Sequence, residues 1–106
     1  MEEKQEHLPL TEPVFYILLA LHTPMHGYGI MQFVNEISKG RVNLGPGTLY
    51  GAIKTLREKG WIERLDSNSR KKEYIITSAG KEAVQEELVR LEELLENGIK
   101  ITKGGI

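Results

Sequence analysis

Gly45-Pro46-Gly47-Thr48-Leu49-Tyr50-Gly51-Ala52-Ile53-Lys54-Thr55-Leu56-Arg57 is the stretch on which the fold of this chain turns. A proline between two glycines suits a chain arriving at a helix start, because proline presets φ and glycine permits the turn before it. Down a helix at about 100° per residue, Leu49, Ala52, Ile53 and Leu56 form one apolar stripe that must be buried. Tyr50, Lys54 and Arg57, spaced i, i+4, i+7, fall within a sector of about 60° turned well away from it. One helix thus carries a core face and a cationic face bearing a phenolic hydroxyl, which is what a helix laid along a nucleic-acid backbone needs. Taken by itself, the stretch also fits an ordinary surface helix with two solvated cations.

The 106 residues suffice for one compact domain with a modest core. The longest apolar run, from Val14 to Leu21, falls far short of a membrane span. The opening residues, with Glu2, Glu3, Lys4 and Glu6, lack the basic-then-apolar layout of a secretion signal. Without cysteine there is no disulfide framework, which fits the cytosol.

A net charge of −1 conceals a segregation. Between Lys39 and Lys72 nine cations face three anions, a balance of +6, whereas the first twelve residues carry −3 and the segment from Lys81 to Glu96 carries −4. A polyanion would be drawn to the middle of the chain and repelled by its ends, so the overall pI says little about partners.

Residues 1–10 lack periodicity and read as a flexible lead-in. Thr11 can cap a first helix that tolerates Pro13 in its opening turn and buries Val14, Ile17, Leu18 and Leu21 before Thr23-Pro24 ends it. A second helix is predicted from about Gly27 to Ser38, with Ile30, Val34 and Ile37 inward and Gly40 closing it. The third runs from the quoted stretch to about Lys59, stopped by Gly60. The pattern then becomes β-prone: Trp61 to Leu65, turn formers Asp66 to Ser69, and Lys72 to Thr77 make a hairpin with Arg70, Lys71 and Lys72 near its tip. Thr77 or Ser78 can cap a last helix reaching about Asn97 and ended by Gly98. In it Val84, Leu88, Leu91 and Leu95 step by four, three and four, a short coiled-coil seam with Leu94 beside it. That seam either packs on its own domain or joins a second copy. The expected fold is mainly α with a small β-hairpin: a winged helix-turn-helix over residues 11–77, a dimerisation helix over 78–98 and a flexible tail over 99–106.

The residues also carry a family resemblance. His26-Gly27-Tyr28 with Ile30, Pro46-Gly47-Thr48-Leu49-Tyr50, Gly60-Trp61-Ile62-Glu63, and Tyr74 to Thr77 followed by Ala79-Gly80 make the chain, over about positions 8 to 97, similar to the PadR family of winged-helix transcriptional regulators. The resemblance implies a homodimeric cytoplasmic repressor on a palindromic operator. The third helix would enter the major groove, the wing would lie along the backbone, and the last helix would make the dimer. Two-fold symmetry then suits half-sites about one DNA turn, roughly 34 Å, apart.

The candidate DNA contacts are accordingly Tyr50, Lys54 and Arg57, with Thr48 and Gly51 at the helix start, Asn43 just before it, and Arg70, Lys71 and Lys72 in the wing. Asn43 can equally cap its connector, and the wing cations can equally keep an edge hairpin soluble. Tyr28 is expected to pack on the third helix rather than reach a phosphate. The candidate dimer interface is Val84, Leu88, Leu91, Leu94 and Leu95, with room for a small apolar effector there. His22 and His26 are separated by Pro24 and lack an acidic or thiol partner set, so no metal is expected, and His26 is read as fixing the turn into the second helix. Gly45 to Thr48 lacks the Gly-Lys-Ser/Thr ending of a nucleotide loop, and no nucleophile finds a base, so neither cofactor nor catalysis is expected. The competing function is a protein-interaction module on the same winged fold, distinguished by the absence of salt-sensitive duplex binding.

Overall fold

The computed structural model describes residues 9–65 and 72–103. Helix α1 spans Glu12–Ala20, β1 Met25–His26, α2 Gly27–Ile37, α3 Pro46–Glu58, β2 Ile62–Leu65, β3 Glu73–Ile76 and α4 Ser78–Thr102. Three helix starts are capped by side chains. Thr11 accepts from the Val14 amide, His26 from Gly29 and Thr77 from Gly80, each satisfying a donor that the first helical turn leaves unpaired. His26 thus takes the turn-fixing role expected of it, and of the two candidate caps for the last helix it is Thr77 that serves. The His22 ring nitrogen lies 3.0 Å from the Leu18 carbonyl at the other end of α1.

The hairpin is part of a three-stranded antiparallel sheet of order β1-β3-β2, so β3 is the central strand. Met25 pairs with Tyr74 and His26 with Glu73 on one side, while Ile62 pairs with Ile76 and Arg64 with Tyr74 on the other. The extra strand is a difference from the expected two-stranded wing. Two residues have no period to read, and Met25-His26 become a strand only because Tyr74 and Glu73 arrive beside them. The turn formers Asp66 to Ser69 lie outside the described residues.

Ile17, Leu18 and Leu21 of the α1 segment, Ile30 and Val34 of α2, Leu49, Ile53 and Leu56 of α3, and Ile62, Tyr74 and Ile76 of the sheet meet in one core. Ile37, expected on the buried stripe of α2, is instead exposed. It sits in the last turn, beyond which the chain reverses through Lys39 and Gly40 at positive φ, with the Ser38 hydroxyl accepting from the Val42 amide at 2.9 Å.

The start of α4 closes on the chain before the wing. The Thr77 amide donates to the Trp61 carbonyl at 2.9 Å and its hydroxyl to the Gly60 carbonyl at 2.7 Å. Gly80 presses on the same backbone, because a Cβ there would lie 2.2 Å from the Trp61 carbonyl oxygen. Only hydrogen fits.

Beyond this point α4 differs from expectation in length and in one residue. It does not end at Gly98 but continues to Thr102, whose hydroxyl donates to the Gly98 carbonyl. A single interior glycine costs only about 1 kcal/mol relative to alanine, and the leucines, glutamates and isoleucines around it carry the helix through. Glu87, one of the glutamates of the acidic end, is almost wholly buried. It accepts from Arg90 Nε at 2.8 Å and Nη2 at 2.7 Å, and from the Leu10 amide at 3.2 Å. The lead-in is therefore pinned at Leu10, while residues 1–8 lie outside the described part.

Two outcomes follow for stability. Gly80→Ala forces backbone apart and should lower stability by about 1–3 kcal/mol, whereas Gly51→Ala, in open space on α3, should raise it by about 0.5–1 kcal/mol; paired thermal melts check the opposite signs. The Arg90 hydrogen bonds hold the Glu87 carboxyl below the usual carboxylate range against the opposing effect of burial. Its stabilising contribution is complete above that range and is lost as pH falls through the lowered value. Melting curves should accordingly show the advantage of the native protein over Glu87→Gln shrinking on acidification below the ordinary carboxylate range; a gap that is constant with pH would contradict it.

Candidate nucleic-acid interface

Helix α3 is oriented by what it buries. Leu49, Ile53 and Leu56 are at most 3% exposed, with Ala52 partly buried beside them, so the opposite side faces outward. There Lys54 and Arg57 are exposed, and neither forms an ion pair or side-chain hydrogen bond with another described residue. Tyr50, 48% exposed, stands one turn before Lys54. These three, with Ile53, Glu58 and Tyr74 of β3, line an open hollow of about 440 Å³ between the helix and the sheet. The predicted face of the helix thus confronts the wing strands across a concave surface.

The wing adds a cation, Arg64, that is not among the candidate contacts expected from the sequence. Arg64 is exposed and stands opposite Tyr74 in the β2–β3 register, two residues from buried Ile62. It therefore lies on the sheet face that Tyr74 turns toward α3, and its two-residue spacing from Ile62 was the signal for it. Lys72 is exposed just before β3, while Arg70 and Lys71 lie outside the described residues. Other cations are committed elsewhere. Arg41 pairs with Glu12, and the Lys59 ammonium sits 5.3 Å from the centroid of the Trp61 ring.

The remaining candidates are spread around the start of the helix. Asn43, in the connector, and Thr48 are exposed. Gly51 is also exposed, but it sits on the far flank of α3, lining a separate apolar groove with Leu10, Val14, Ala52, Leu56 and Trp61. Tyr28 does not pack on α3 as expected. It is 63% exposed, with its hydroxyl 3.5 Å from Gln32 Nε2, while beside it Gly27 meets the Tyr50 hydroxyl of α3.

The apolar seam of α4 divides in two. Val84 is 1% exposed and belongs to the core of its own chain, so it is unavailable to a partner. Leu88, Leu91, Leu94 and Leu95 are exposed on the same stripe, and Ile99, beyond the expected helix end, extends it. A groove of about 330 Å³ between α1 and α4, lined by Leu10, Phe15, Tyr16, Glu87, Arg90 and Leu91, opens alongside. No helix of the described residues is long and apolar enough to cross a membrane.

Comparison with known proteins agrees with this architecture. The chain is 38% identical over 64 residues to an uncharacterized 37.1 kDa protein in a transposon of Streptomyces fradiae, a match that spans 60% of this chain and 18% of that one. Its fold is similar to that of a transcriptional regulator from Clostridium thermocellum, with a TM-score of 0.68, 21% identity, and 85% of this chain and 90% of that one covered. It is likewise similar to a PadR family transcriptional regulator from Eggerthella lenta, with a TM-score of 0.69, 20% identity, and 94% and 85% covered. The model of the transcriptional regulator PadR-like family matches residues 16–86. With the winged helix, its three-stranded sheet and the long last helix in place, the chain belongs to the PadR-like family of transcriptional regulators.

Proposed function

We propose that this regulator binds double-stranded DNA as a homodimer and acts in the cytoplasm as a repressor on a palindromic operator. The observation that carries the reading is the outward face of α3. Lys54 and Arg57 stand free of ion pairs with described residues and look across a hollow at the wing, where Arg64 and Lys72 add positive charge. Unpaired cations on a helix that protrudes beside a wing suit a major groove flanked by phosphates. Thr48 and Asn43 then lie near the entering end of α3, with Gly51 on its far flank, and the basic run Arg70-Lys71-Lys72 follows the backbone.

The second copy joins through the exposed part of the α4 stripe. Leu88, Leu91, Leu94 and Leu95 lie along a helix of 25 residues, about 38 Å long, and an apolar stripe of that reach is covered in a stable protein. The interface begins after Val84, and the groove beside Leu91 is the place for a small apolar effector.

Lys54→Ala and Arg57→Ala should each weaken duplex binding with circular dichroism and melting near those of the native protein. Each lost phosphate contact should reduce the slope of log affinity against log salt by about one. Unchanged affinity in both variants would remove the reading face. For the dimer, Leu94→Glu with Leu95→Glu should halve the mass found by sedimentation without loss of helix content, since both side chains are exposed in the single chain; an unaltered mass would place the interface elsewhere.

A further inference from the structure

We propose that Tyr50 is a positioning residue: its phenol is a strut set between α3 and the first turn of α2, and it serves binding by holding the cationic face at a fixed angle rather than by presenting its hydroxyl to DNA. The inference rests on the DNA-binding reading above and assigns Tyr50 a part within it.

Gly27 is the first residue of α2 and is buried. A Cβ built on it would lie 2.1 Å from Tyr50 Oη, 2.8 Å from Tyr50 Cζ and 3.4 Å from Leu49 Cδ2. Adjacent side chains of α3 thus occupy the space that any other residue at position 27 would fill. The first turn of α2 is itself held, by the His26 ring capping the Gly29 amide at 3.4 Å. The tip of the phenol therefore rests on fixed backbone.

Tyr50 also lines the hollow with Lys54 and Arg57, so one side chain touches both the start of α2 and the cationic face. The Tyr50 hydroxyl makes no side-chain hydrogen bond with another described residue; what seats it against Gly27 is shape. A tyrosine that reads a base edge or a phosphate needs its hydroxyl in the groove. This one has its hydroxyl against the first residue of a neighbouring helix, although the residue as a whole is 48% exposed. Lys54 sits one turn along the same face, so a change in the α2–α3 angle moves its ammonium away from the phosphate it meets.

The geometry gives a complementary pair of substitutions. Gly27→Ala places a methyl where the hydroxyl lies and expels the ring. Tyr50→Phe removes that hydroxyl and makes room for the methyl, leaving a small shift of Cζ toward the open side of the ring.

The test is the affinity of each variant for a duplex that the native protein selects from a random-sequence pool, with circular dichroism confirming the fold. Tyr50→Phe should stay within about threefold of the native protein, while Tyr50→Ala and Gly27→Ala should each lose about tenfold. Gly27→Ala combined with Tyr50→Phe should return to within about threefold of Tyr50→Phe alone, a coupling expected of groups in contact. If Tyr50→Phe loses as much as Tyr50→Ala, the hydroxyl itself meets DNA and the strut is overturned. Additive losses in the double variant overturn it too. Should Gly27→Ala fail to fold, the Phe and Ala variants at the half-exposed position 50 still decide the matter. Native protein that selects no duplex would instead sink the DNA-binding reading, and the strut with it.

Discussion

The rotation of α3 about its own axis is set by three side chains, and the remaining structure depends on that setting. Leu49, Ile53 and Leu56 enter a core supplied by α1, α2 and the sheet, and removing them from water is the dominant favourable term that holds the helix in one orientation. Once they are in, Lys54 and Arg57 have no way to face but outward. The position of the sheet follows from the other end of the core. Ile62, Tyr74 and Ile76 lie inward, and through Tyr74 the sheet comes level with the helix face. The hollow is thus a by-product of packing, with its walls positioned by core residues, two of which, Ile53 and Tyr74, also line it.

The stripe of the last helix divides into a buried and an uncovered part. Its first turns belong to the single chain, where Gly80 presses on the Trp61 backbone and Ala83, Val84 and Glu87 are buried. From Leu88 onward the same stripe is uncovered. Helical periodicity makes the two parts continuous, so a second copy bound there would bear on a lever rooted in the same core that seats α3. Leu10 stands at the junction, with its amide on Glu87 and its side chain beside α1 and α3.

Much of this was legible because it is local. The period of Leu49, Ile53 and Leu56, the caps at Thr11 and Thr77, and the stops at Gly40 and Gly60 depend on neighbours within a turn or two, and short-range rules carry them. What escaped depends on partners distant in sequence. Met25 and His26 become a strand only beside Tyr74 and Glu73. Glu87 looks like any solvated glutamate until Leu10, 77 residues away, brings its amide. Tyr28 is exposed, and the Tyr50 hydroxyl lies against Gly27 at the start of the neighbouring helix, a contact made across 23 residues of chain. Arg64 is the exception, as its two-residue spacing from Ile62 already places both on one face of the strand. Gly98 failed in the opposite sense, a local stop signal overridden by the helix formers around it.

In the function proposed above, two copies of this fold offer the outward face of α3 to a double helix. The most direct measurement is a titration of a labelled random-sequence duplex with the native protein across a range of salt, with the mass of the complex determined alongside. Two chains on the duplex are expected, with a log affinity that falls linearly and steeply with log salt as cations displace condensed counterions from several phosphates. Absence of binding at low salt, or an affinity indifferent to salt, would contradict that function.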